Sequence, residues 1–322
     1  MKISKEKLLQ ESEASGFRPE IVEKVFNLLH LLESLFSHPF LKGRLALKGG
    51  TALNLFLFDL PRLSIDIDLN YINDPQLEVM LEERPKVEEA LRAVFGREGF
   101  NVRRFPDEHA GGKWSLRYES AIGRGGDLEI DLNFMFRIPL WPVVPQDSRP
   151  VGSFQIQKIP VLDIHEIAGG KLAALFARHA ARDLFDTHQL LARGRLDKER
   201  LRLAFVLYGA MNRKDWRTVS VDNLKFDAGE IKNQLLQLLK KEVASRIGRP
   251  SEWAKRLFEE CRDFFKIILP FSERELEFLD RLLDHGEIEP SLLTSDEEMA
   301  KRIKKHPSIE WKAMNVRQYR EK

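Results

Sequence analysis

Residues 45–70 read LALKGGTALNLFLFDLPRLSIDIDLN, and this stretch decides the predicted fold. The apolar run at 45–47 predicts a short buried β-strand, which a glycine pair ends. Residues 51–58 are predicted to form a short helix that Thr51 caps. Residues 64–71 alternate strictly between polar and apolar side chains, and this alternation predicts a second strand.

The second predicted strand carries two carboxylates on one face. Asp66 and Asp68 are two positions apart, so their Cα atoms lie about 7 Å apart and their side chains point the same way. Carboxylates this close repel each other, and a divalent cation between them removes the repulsion. Oxygen ligands suit Mg²⁺, which also binds substrate phosphates. For this strand alone, the solvated face of an antiparallel sheet is an alternative that predicts the same alternation.

A later stretch, DLEIDLNF at 127–134, repeats the alternation. Its polar face carries Asp127, Glu129 and Asp131. If this strand lies beside the first carboxylate strand, Asp131 becomes a third carboxylate of the same site. Metal ions held by three carboxylates can activate an attacking hydroxyl group and neutralise a leaving pyrophosphate, so the pattern predicts a metal-dependent nucleotidyl transfer site.

The glycine pair between the first two predicted strands suits phosphate binding. Gly49 and Gly50 follow a strand and precede a helix, where glycine lets backbone N–H groups approach a phosphate and the helix adds the positive end of its dipole. With Thr51, they are the predicted nucleotide-binding turn. A tight turn followed by a helix cap is the simpler alternative for these three residues.

The segment KGGTALNL…RLSIDIDL resembles the first motif of the nucleotidyltransferase superfamily, in the branch of AbiEii-type toxins of type IV toxin–antitoxin and phage-defence systems. The resemblance covers most of residues 40–190. In this family the glycine–Ser/Thr turn holds the nucleotide phosphates and the aspartates hold the metal. The resemblance therefore implies these roles for Gly50, Thr51, Asp66 and Asp68, with Mg²⁺ or Mn²⁺ as the cofactor and an NTP as the substrate.

A helix with cations on one face is predicted to begin at 163–166, where DIHE has the pattern of a capping box. At 100° per residue, Lys171, Arg178 and Arg182 fall within about 40° of one another. This face predicts that Lys171 binds the β- or γ-phosphate and that the arginines bind phosphate or the acceptor nucleic acid. The alternative is a solvated face on which Arg182 and Asp186 form an ion pair.

The AbiEii-type family also has a second motif, a helical lysine followed by Lys/Arg-Asp-x-x-Asp. The segment KLAALFARHAARDLFD supplies Lys171, Asp183 and Asp186 at the matching positions. The resemblance implies that Lys171 and Asp186 belong to the active site. The family position before Asp183 is often lysine and is Arg182 here, so substrate contact by this residue is left open.

Composition limits the class of protein. The chain has 322 residues, of which 43% are hydrophobic and 32% charged, and a net charge of +2. This balance excludes a strongly basic field over the whole protein but leaves room for a local basic patch. One cysteine, Cys261, excludes an intrachain disulfide framework and a thiolate metal cluster. The segment MKISKEKLLQESEASGF lacks the apolar core typical of a signal peptide, and no apolar run of about 18 residues occurs, so we expect a cytoplasmic protein without a membrane span.

The expected fold class is α+β. Further strands are predicted at 101–105, 114–122 and 127–136, with glycine-rich turns at 111–112 and 123–126 that favour an antiparallel meander. We expect a nucleotidyltransferase-type α/β domain at 1–155, with a mixed, mainly antiparallel sheet. A C-terminal all-helical domain at 156–322 is expected to complete the active-site cleft.

These observations together predict an enzyme that transfers NMP from an NTP to an acceptor hydroxyl and releases pyrophosphate. The resemblance implies that the acceptor is the 3′ end of a tRNA and that the protein is a toxin with a cognate antitoxin. One alternative is the same chemistry on a small molecule or a protein side chain. Another is a non-catalytic scaffold of the same fold that binds RNA or protein.

Overall fold

The chain divides into two compact units, each built from several segments. The computed structural model describes residues 3–59, 61–106 and 110–320. The first unit comprises Met1–Arg137, Val143–Leu162 and Leu236–Ile247, and the second comprises Ile138–Pro142, Asp163–Leu235 and Gly248–Lys322. Compactness does not test which segments fold independently, so the domains 1–155 and 156–322 stay a prediction.

A seven-stranded mixed sheet forms the centre of the first unit. Its strands are β1 (Leu45–Lys48), β2 (Asp66–Tyr71), β3 (Asn101–Arg104), β4 (Gly111–Ser120), β5 (Gly123–Asn133), β6 (Val144–Gln146) and β7 (Ile159–Val161). The strand order is β3-β4-β5-β2-β1-β7-β6. The β2–β5 and β1–β7 pairs are parallel, and the other pairs are antiparallel. The predicted mixed, mainly antiparallel sheet is confirmed.

Helices precede and follow the strands along the chain and account for most of the second unit. In chain order they are α1 (Lys5–Ser15), α2 (Pro19–Ser37), α3 (Gly49–Ala52), α4 (Leu77–Arg97), α5 (Ile164–Arg178), α6 (Ala181–Arg193), α7 (Lys198–Ala210), α8 (Ala228–Glu230), α9 (Lys241–Arg246), α10 (Pro250–Phe265), α11 (Glu273–Asp280), α12 (Glu297–Lys304) and α13 (Pro307–Arg320). The α+β class with a helical C-terminal part is confirmed. None of the described helices has the length and apolar character that a membrane span requires.

One face of the sheet belongs to the hydrophobic core. Ile67 and Leu69 of β2, Ile130 and Leu132 of β5, and Trp114 of β4 are all buried almost completely. Because strand side chains alternate between faces, burial of this apolar set directs the intervening polar residues of β2 and β5 to the opposite face. Packing of the core thereby positions the candidate site.

The helix after the first strand begins earlier than predicted. It starts at Gly49, with Lys48 as the extended residue before it, and continues as a π-helical turn over Leu53–Leu57. Thr51 therefore lies inside the helix and does not cap it. Its hydroxyl instead donates to the backbone carbonyl of Asp66 at 2.5 Å, which attaches the turn to the start of β2.

The predicted glycine-rich turns lie within strands. Gly111 and Gly112 begin β4, and the glycines at 123–126 begin β5. A Cβ on Gly111 would lie 2.0 Å from the carbonyl oxygen of Leu132, so glycine permits the close pairing of β4 with β5. The predicted meander of β3, β4 and β5 is confirmed, although its second turn is shorter than expected.

A late segment of the chain returns to the first unit and pairs with the residues that precede β2. The backbone N–H of Leu63 donates to the carbonyl of Leu238 at 2.9 Å, and that of Lys240 donates to the carbonyl of Pro61 at 2.8 Å. The N–H of Lys241 donates to the carbonyl of Gly16 at 2.8 Å. Segment Leu236–Ile247 thus secures the path by which the chain enters β2.

Two glycines, each the second-last residue of a helix, provide a test of how tightly helix α7 is packed. Gly209 in α7 has no room for a side chain, because a Cβ would lie 1.8 Å from Nε1 of the buried Trp216. Gly96 in α4 has open space around it. We expect Gly96→Ala to stabilise the protein by about 0.5–1 kcal/mol and Gly209→Ala to destabilise it by about 1–3 kcal/mol. Urea unfolding measures both, and equal effects would contradict the assigned packing of α7.

Candidate functional site

Four residues form a row across four strands of the sheet. Lys48 of β1 lies opposite Asp68 of β2, Asp68 lies opposite Asp131 of β5, and Asp131 lies opposite Lys113 of β4. Residues opposite each other on neighbouring strands point to the same face, so the row places two adjacent carboxylates between two lysines. The condition for Asp131 to lie near the carboxylates of β2 is thus met, since β2 and β5 are parallel neighbours.

A second pair of acidic residues extends this surface along the same two strands. Asp66 of β2 lies opposite Glu129 of β5, two residues before Asp68 and Asp131 on the same face. The four acidic residues are partly exposed. A face with this concentration of negative charge attracts cations, because a bound cation reduces the repulsion between the carboxylates.

The turn at Gly49 is built against the Asp68 side chain. Gly49 has a φ of +70°, and a Cβ at this residue would lie 2.0 Å from Oδ2 of Asp68. A residue with a side chain would meet both the left-handed backbone strain and this contact. Asn54 supports Gly50, because its Nδ2 donates to the carbonyl of Gly50 at 2.8 Å. The glycine pair is therefore held next to the carboxylate row.

A divalent cation fits the donor atoms of this face. Asp66, Asp68 and Asp131 offer carboxylate oxygens, and Mg²⁺ is commonly held by one or two carboxylates together with substrate phosphates. Within the described residues, no three His, Cys, Asp or Glu side chains are grouped so that they could hold a metal by themselves. The adjacent pair Asp68 and Asp131 suits a Mg²⁺ or Mn²⁺ ion that shares its coordination with a nucleotide.

Lys113 stands at the β4 end of the row. Its Nζ lies 3.1 Å from Oε2 of Glu129, and both side chains are about half exposed, at 59% and 46%. The Glu129 carboxylate raises the pKa of the Lys113 ammonium above its usual value, and the charges of Asp66 and Asp131 add to this shift. The ammonium of Lys113 is therefore within the electrostatic reach of the acidic face.

In the second unit, Lys171 lies at the centre of a buried ion network. Its Nζ is 3.0 Å from Oδ1 of Asp183 and 3.1 Å from Oδ2 of Asp186. Lys171 is 10% exposed, Asp183 1% and Asp186 0%. Arg178 adds a second cation, with its Nε 2.6 Å from Oδ2 of Asp183. Lys171 therefore contacts both Asp186 and Asp183, while the predicted active-site roles of Lys171 and Asp186 stay predictions.

Asp183 is a strongly stabilised anion of this network. Burial alone would raise the pKa of its carboxyl group, but the Lys171 ammonium and the Arg178 guanidinium outweigh burial and hold the pKa well below its usual range. The carboxylate therefore stays ionised at any pH at which the protein functions.

The sequence predicted that Lys171, Arg178 and Arg182 share one face of a single helix. This prediction is wrong. Helix α5 ends at Arg178, because His179 adopts a left-handed backbone with a φ of +56°, and α6 begins at Ala181. Arg182 and Asp186 consequently lie on the next helix. The reversal brings Asp183 and Asp186 back to Lys171, an arrangement that 100° spacing along one helix cannot describe.

The capping box predicted at the start of α5 is also wrong. Asp163 is the N-cap, and its carboxylate accepts the backbone N–H of His165 at 2.8 Å. Glu166 turns inward and accepts the N–H of Leu140 at 2.9 Å and the hydroxyl of Tyr208 at 3.1 Å. Its burial raises the pKa of this carboxyl group to about 7. Inward hydrogen bonds thus replace the expected bond to the helix start.

A sequence model of the family described as Nucleotidyl transferase AbiEii toxin, Type IV TA system, matches residues 30–318. The chain belongs to the AbiEii family. The matched range contains the carboxylate rows, the Gly49 turn and the Lys171 network. The chain is therefore a nucleotidyltransferase of a toxin family of type IV toxin–antitoxin systems. A search of curated proteins finds no match.

A solved structure supports the fold of this AbiEii chain. MenT4, a nucleotidyltransferase toxin from Mycobacterium tuberculosis H37Rv, is similar to it with a TM-score of 0.56 and 18% sequence identity. The similarity covers 96% of this chain and 99% of that chain. At this level of identity the likeness concerns the fold, and it confirms the predicted nucleotidyltransferase fold.

Sequence reasoning on the AbiEii chain missed three residues of these clusters. Lys48 immediately precedes the glycine pair, and Lys113 occupies a polar position in the alternating segment KWSLRYES, so a search of strand faces for cations could have found both. Asp183 belongs to the second motif, but the motif assigns it no role. Its two ion pairs depend on the turn at His179, which has no clear sequence signal.

The Gly49 turn provides a prediction with a matched control. Gly49→Ala places a methyl group against Asp68, and we expect it to reduce nucleotidyl transfer by at least about 10-fold, because small displacements of reacting groups have large effects. Gly43→Ala is the control, since Gly43 has a φ of +80° but no atoms within 4 Å of the position that a Cβ would take. Both variants share the backbone strain. Equal transfer activity in both variants would show that the Gly49–Asp68 contact has no role.

The Lys171 network predicts a large effect of Asp183→Asn. This change leaves the ammonium of Lys171 buried with less compensation, so we expect a loss of about 3–5 kcal/mol in the free energy of unfolding. Asp222→Asn is the control, because Asp222 pairs with Arg262 but is 84% exposed, and we expect a loss below about 1 kcal/mol.

The pH dependence of Asp183→Asn and the wild type gives a second readout. Because the pKa of Asp183 is lower in the folded state, its stabilisation is present above the usual carboxyl value of 3.8 and is lost as the pH falls. Urea unfolding between about pH 3 and pH 7 should show a shallower pH dependence in Asp183→Asn than in the wild type. A parallel dependence would contradict the assigned ion pairs.

Proposed function

We propose that this AbiEii-family enzyme transfers NMP from an NTP to an acceptor hydroxyl with the help of Mg²⁺ or Mn²⁺. The observation that carries the proposal is the parallel register of β2 and β5, which places Asp68 beside Asp131 next to the Gly49 turn. Adjacent carboxylates and a glycine turn at a helix start are the elements that a nucleotide–metal complex requires.

The metal would be held by Asp68 and Asp131, and the role of Asp66 as a third metal ligand stays a prediction. When bound, it supplies charge neutralisation at the transferring phosphoryl group and at the leaving pyrophosphate. The chain's own residues have separate tasks. The backbone N–H groups at Gly49 and Gly50 bind phosphate oxygens, and Thr51 maintains the turn through its hydrogen bond to Asp66.

The proposed reaction is a direct displacement. The acceptor hydroxyl oxygen forms a bond to the α-phosphorus, and the bond between that phosphorus and the bridging oxygen of the β-phosphate breaks. Asp131 accepts the proton of the hydroxyl, and pyrophosphate leaves with the electron pair of the broken bond. Lys171 and Asp186 keep their family-derived active-site roles as predictions, as do Arg178 and Arg182 as ligands of phosphate or acceptor.

We propose the 3′ end of a tRNA as the acceptor and a cognate antitoxin as the partner. The motif resemblance supports the tRNA, and membership of a type IV toxin–antitoxin family supports the antitoxin and the NTP. A role in phage defence and action in the cytoplasm belong to the same proposal. Transfer to a protein side chain or a small molecule is an alternative outcome of the test.

The test combines labelled substrates with one matched pair of variants. The protein is incubated with Mg²⁺, each labelled NTP and total tRNA, and we expect label in RNA. Asp68→Asn should reduce transfer by about 10²–10⁴-fold, because it removes a charge that would hold the metal. Asp127→Asn changes the same residue type on β5, where Asp127 pairs with Arg117 at 2.8 Å, and should stay within about twofold of the wild type.

Three results would contradict parts of the proposal. Full activity in Asp68→Asn would reject the metal assignment. Label in a protein band and none in RNA would reject tRNA as the acceptor while keeping nucleotidyl transfer. Transfer that persists unchanged in the presence of EDTA would reject the dependence on a divalent metal.

A further inference from the structure

Lys113 on β4 is a lysine that neither the motifs nor the family resemblance assign. It completes the row in which Lys48, Asp68 and Asp131 lie on one face. Neighbouring strands are about 4.8 Å apart, so the backbone of Lys113 lies about 5 Å from that of Asp131 and about 10 Å from that of Asp68. A lysine side chain spans the shorter of these distances, so its ammonium can reach a group bound at Asp131, which lies directly opposite.

The contact that Lys113 makes is weak and reversible. Its ion pair with Glu129 joins two half-exposed side chains at 3.1 Å, and exposed pairs of this kind contribute about 0–1 kcal/mol. The pair therefore does little for stability. A phosphate brought close to the row carries more negative charge than the Glu129 carboxylate, and it can replace that carboxylate as the partner of the ammonium.

Lys171 of the buried ion network and Lys48 of the carboxylate row have closer contacts within the protein. Lys171 is 10% exposed and lies between two buried aspartates at 3.0 and 3.1 Å, so its charge is largely compensated. The Nζ of Lys48 lies over the ring of Phe136 at 5.4 Å from its centre. Lys113 is more exposed than Lys48, the other lysine of the row. Its ammonium can therefore exchange Glu129 for a ligand at a small cost in free energy.

We propose that Lys113 binds the triphosphate of the nucleotide, and that Glu129 holds this lysine in place until the nucleotide arrives. The proposal rests on the proposed function, because it places the triphosphate at the carboxylate row. It makes Glu129 a competitor of the phosphate and gives the strand β4 a direct part in substrate binding.

A neighbouring ion pair provides a matched control. Arg117 and Asp127 lie opposite each other on the same two strands and the same face as Lys113 and Asp131, four residues further along, at 2.8 Å. Arg117→Ala likewise removes a cation from β4 together with its ion pair. Any general effect of weakening the β4–β5 pairing therefore appears in both Lys113→Ala and Arg117→Ala.

The experiment measures nucleotide binding and turnover in the full chain. Calorimetry with NTP and with NMP in the presence of Mg²⁺ gives affinities, and initial rates give KM and kcat. We expect Lys113→Ala to raise the Kd and KM for NTP by about 10- to 100-fold, with little change for NMP, because it removes a charged hydrogen bond to the triphosphate. Lys113→Arg should restore most of the affinity, and Arg117→Ala should resemble the wild type.

A change at the partner residue tests the direction of the effect. Glu129→Gln removes the competing charge, so NTP should bind up to about fivefold more tightly, in keeping with the weak ion pair. Weaker NTP binding in Glu129→Gln would overturn the role of this carboxylate as a competitor.

Failure of this inference differs from failure of the proposed function. Wild-type NTP affinity in Lys113→Ala, together with lost transfer in Asp68→Asn, would overturn the role of Lys113 and keep the carboxylate site. Equal losses in Lys113→Ala and Arg117→Ala would also overturn it. Unchanged transfer in Asp68→Asn would instead reject the proposed function itself.

Discussion

Repulsion between neighbouring carboxylates is the constraint on which the rest of the first unit depends. Parallel pairing of β2 with β5 brings Asp68 next to Asp131, with Asp66 and Glu129 two residues earlier on the same face. Apolar side chains on the opposite face offset this repulsion by fixing the strands in a buried core. The lysines on the outer strands reduce the repulsion only in part, and the face remains suited to a cation.

The second unit solves a related problem by different means. Lys171 is buried between Asp183 and Asp186, and the largely exposed Arg178 pairs with Asp183 from the solvent side. Such a network loses much of its stability when one member is removed, because the remaining charge cannot return to water. It therefore holds α5 and α6 in one arrangement, while the exposed acidic face of the first unit keeps its capacity to bind.

Local patterns predicted much of the sheet and the main carboxylates. Strict alternation located β2 and β5, and an assumption of neighbouring strands was enough to connect Asp131 with Asp68. The spacing of side chains within one segment does not tell how that segment pairs with others, or where its backbone changes direction. The left-handed turn at His179 ended a helix whose spacing looked continuous, and the position of Lys113 depended on the register of a third strand. The first outcome depends on the backbone conformation of one residue and the second on strand register, and neither can be read from side-chain spacing.

The return of Leu236–Ile247 to the first unit has a consequence for the order in which the protein matures on the ribosome. The residues leading into β2 pair with Leu238 and Lys240, which are synthesised long after β2 itself. A chain that stops before this segment has every carboxylate of the acidic face but lacks the strand-like support of their entry path. Premature termination before Leu236 therefore yields a chain in which the approach to β2 lacks these hydrogen bonds.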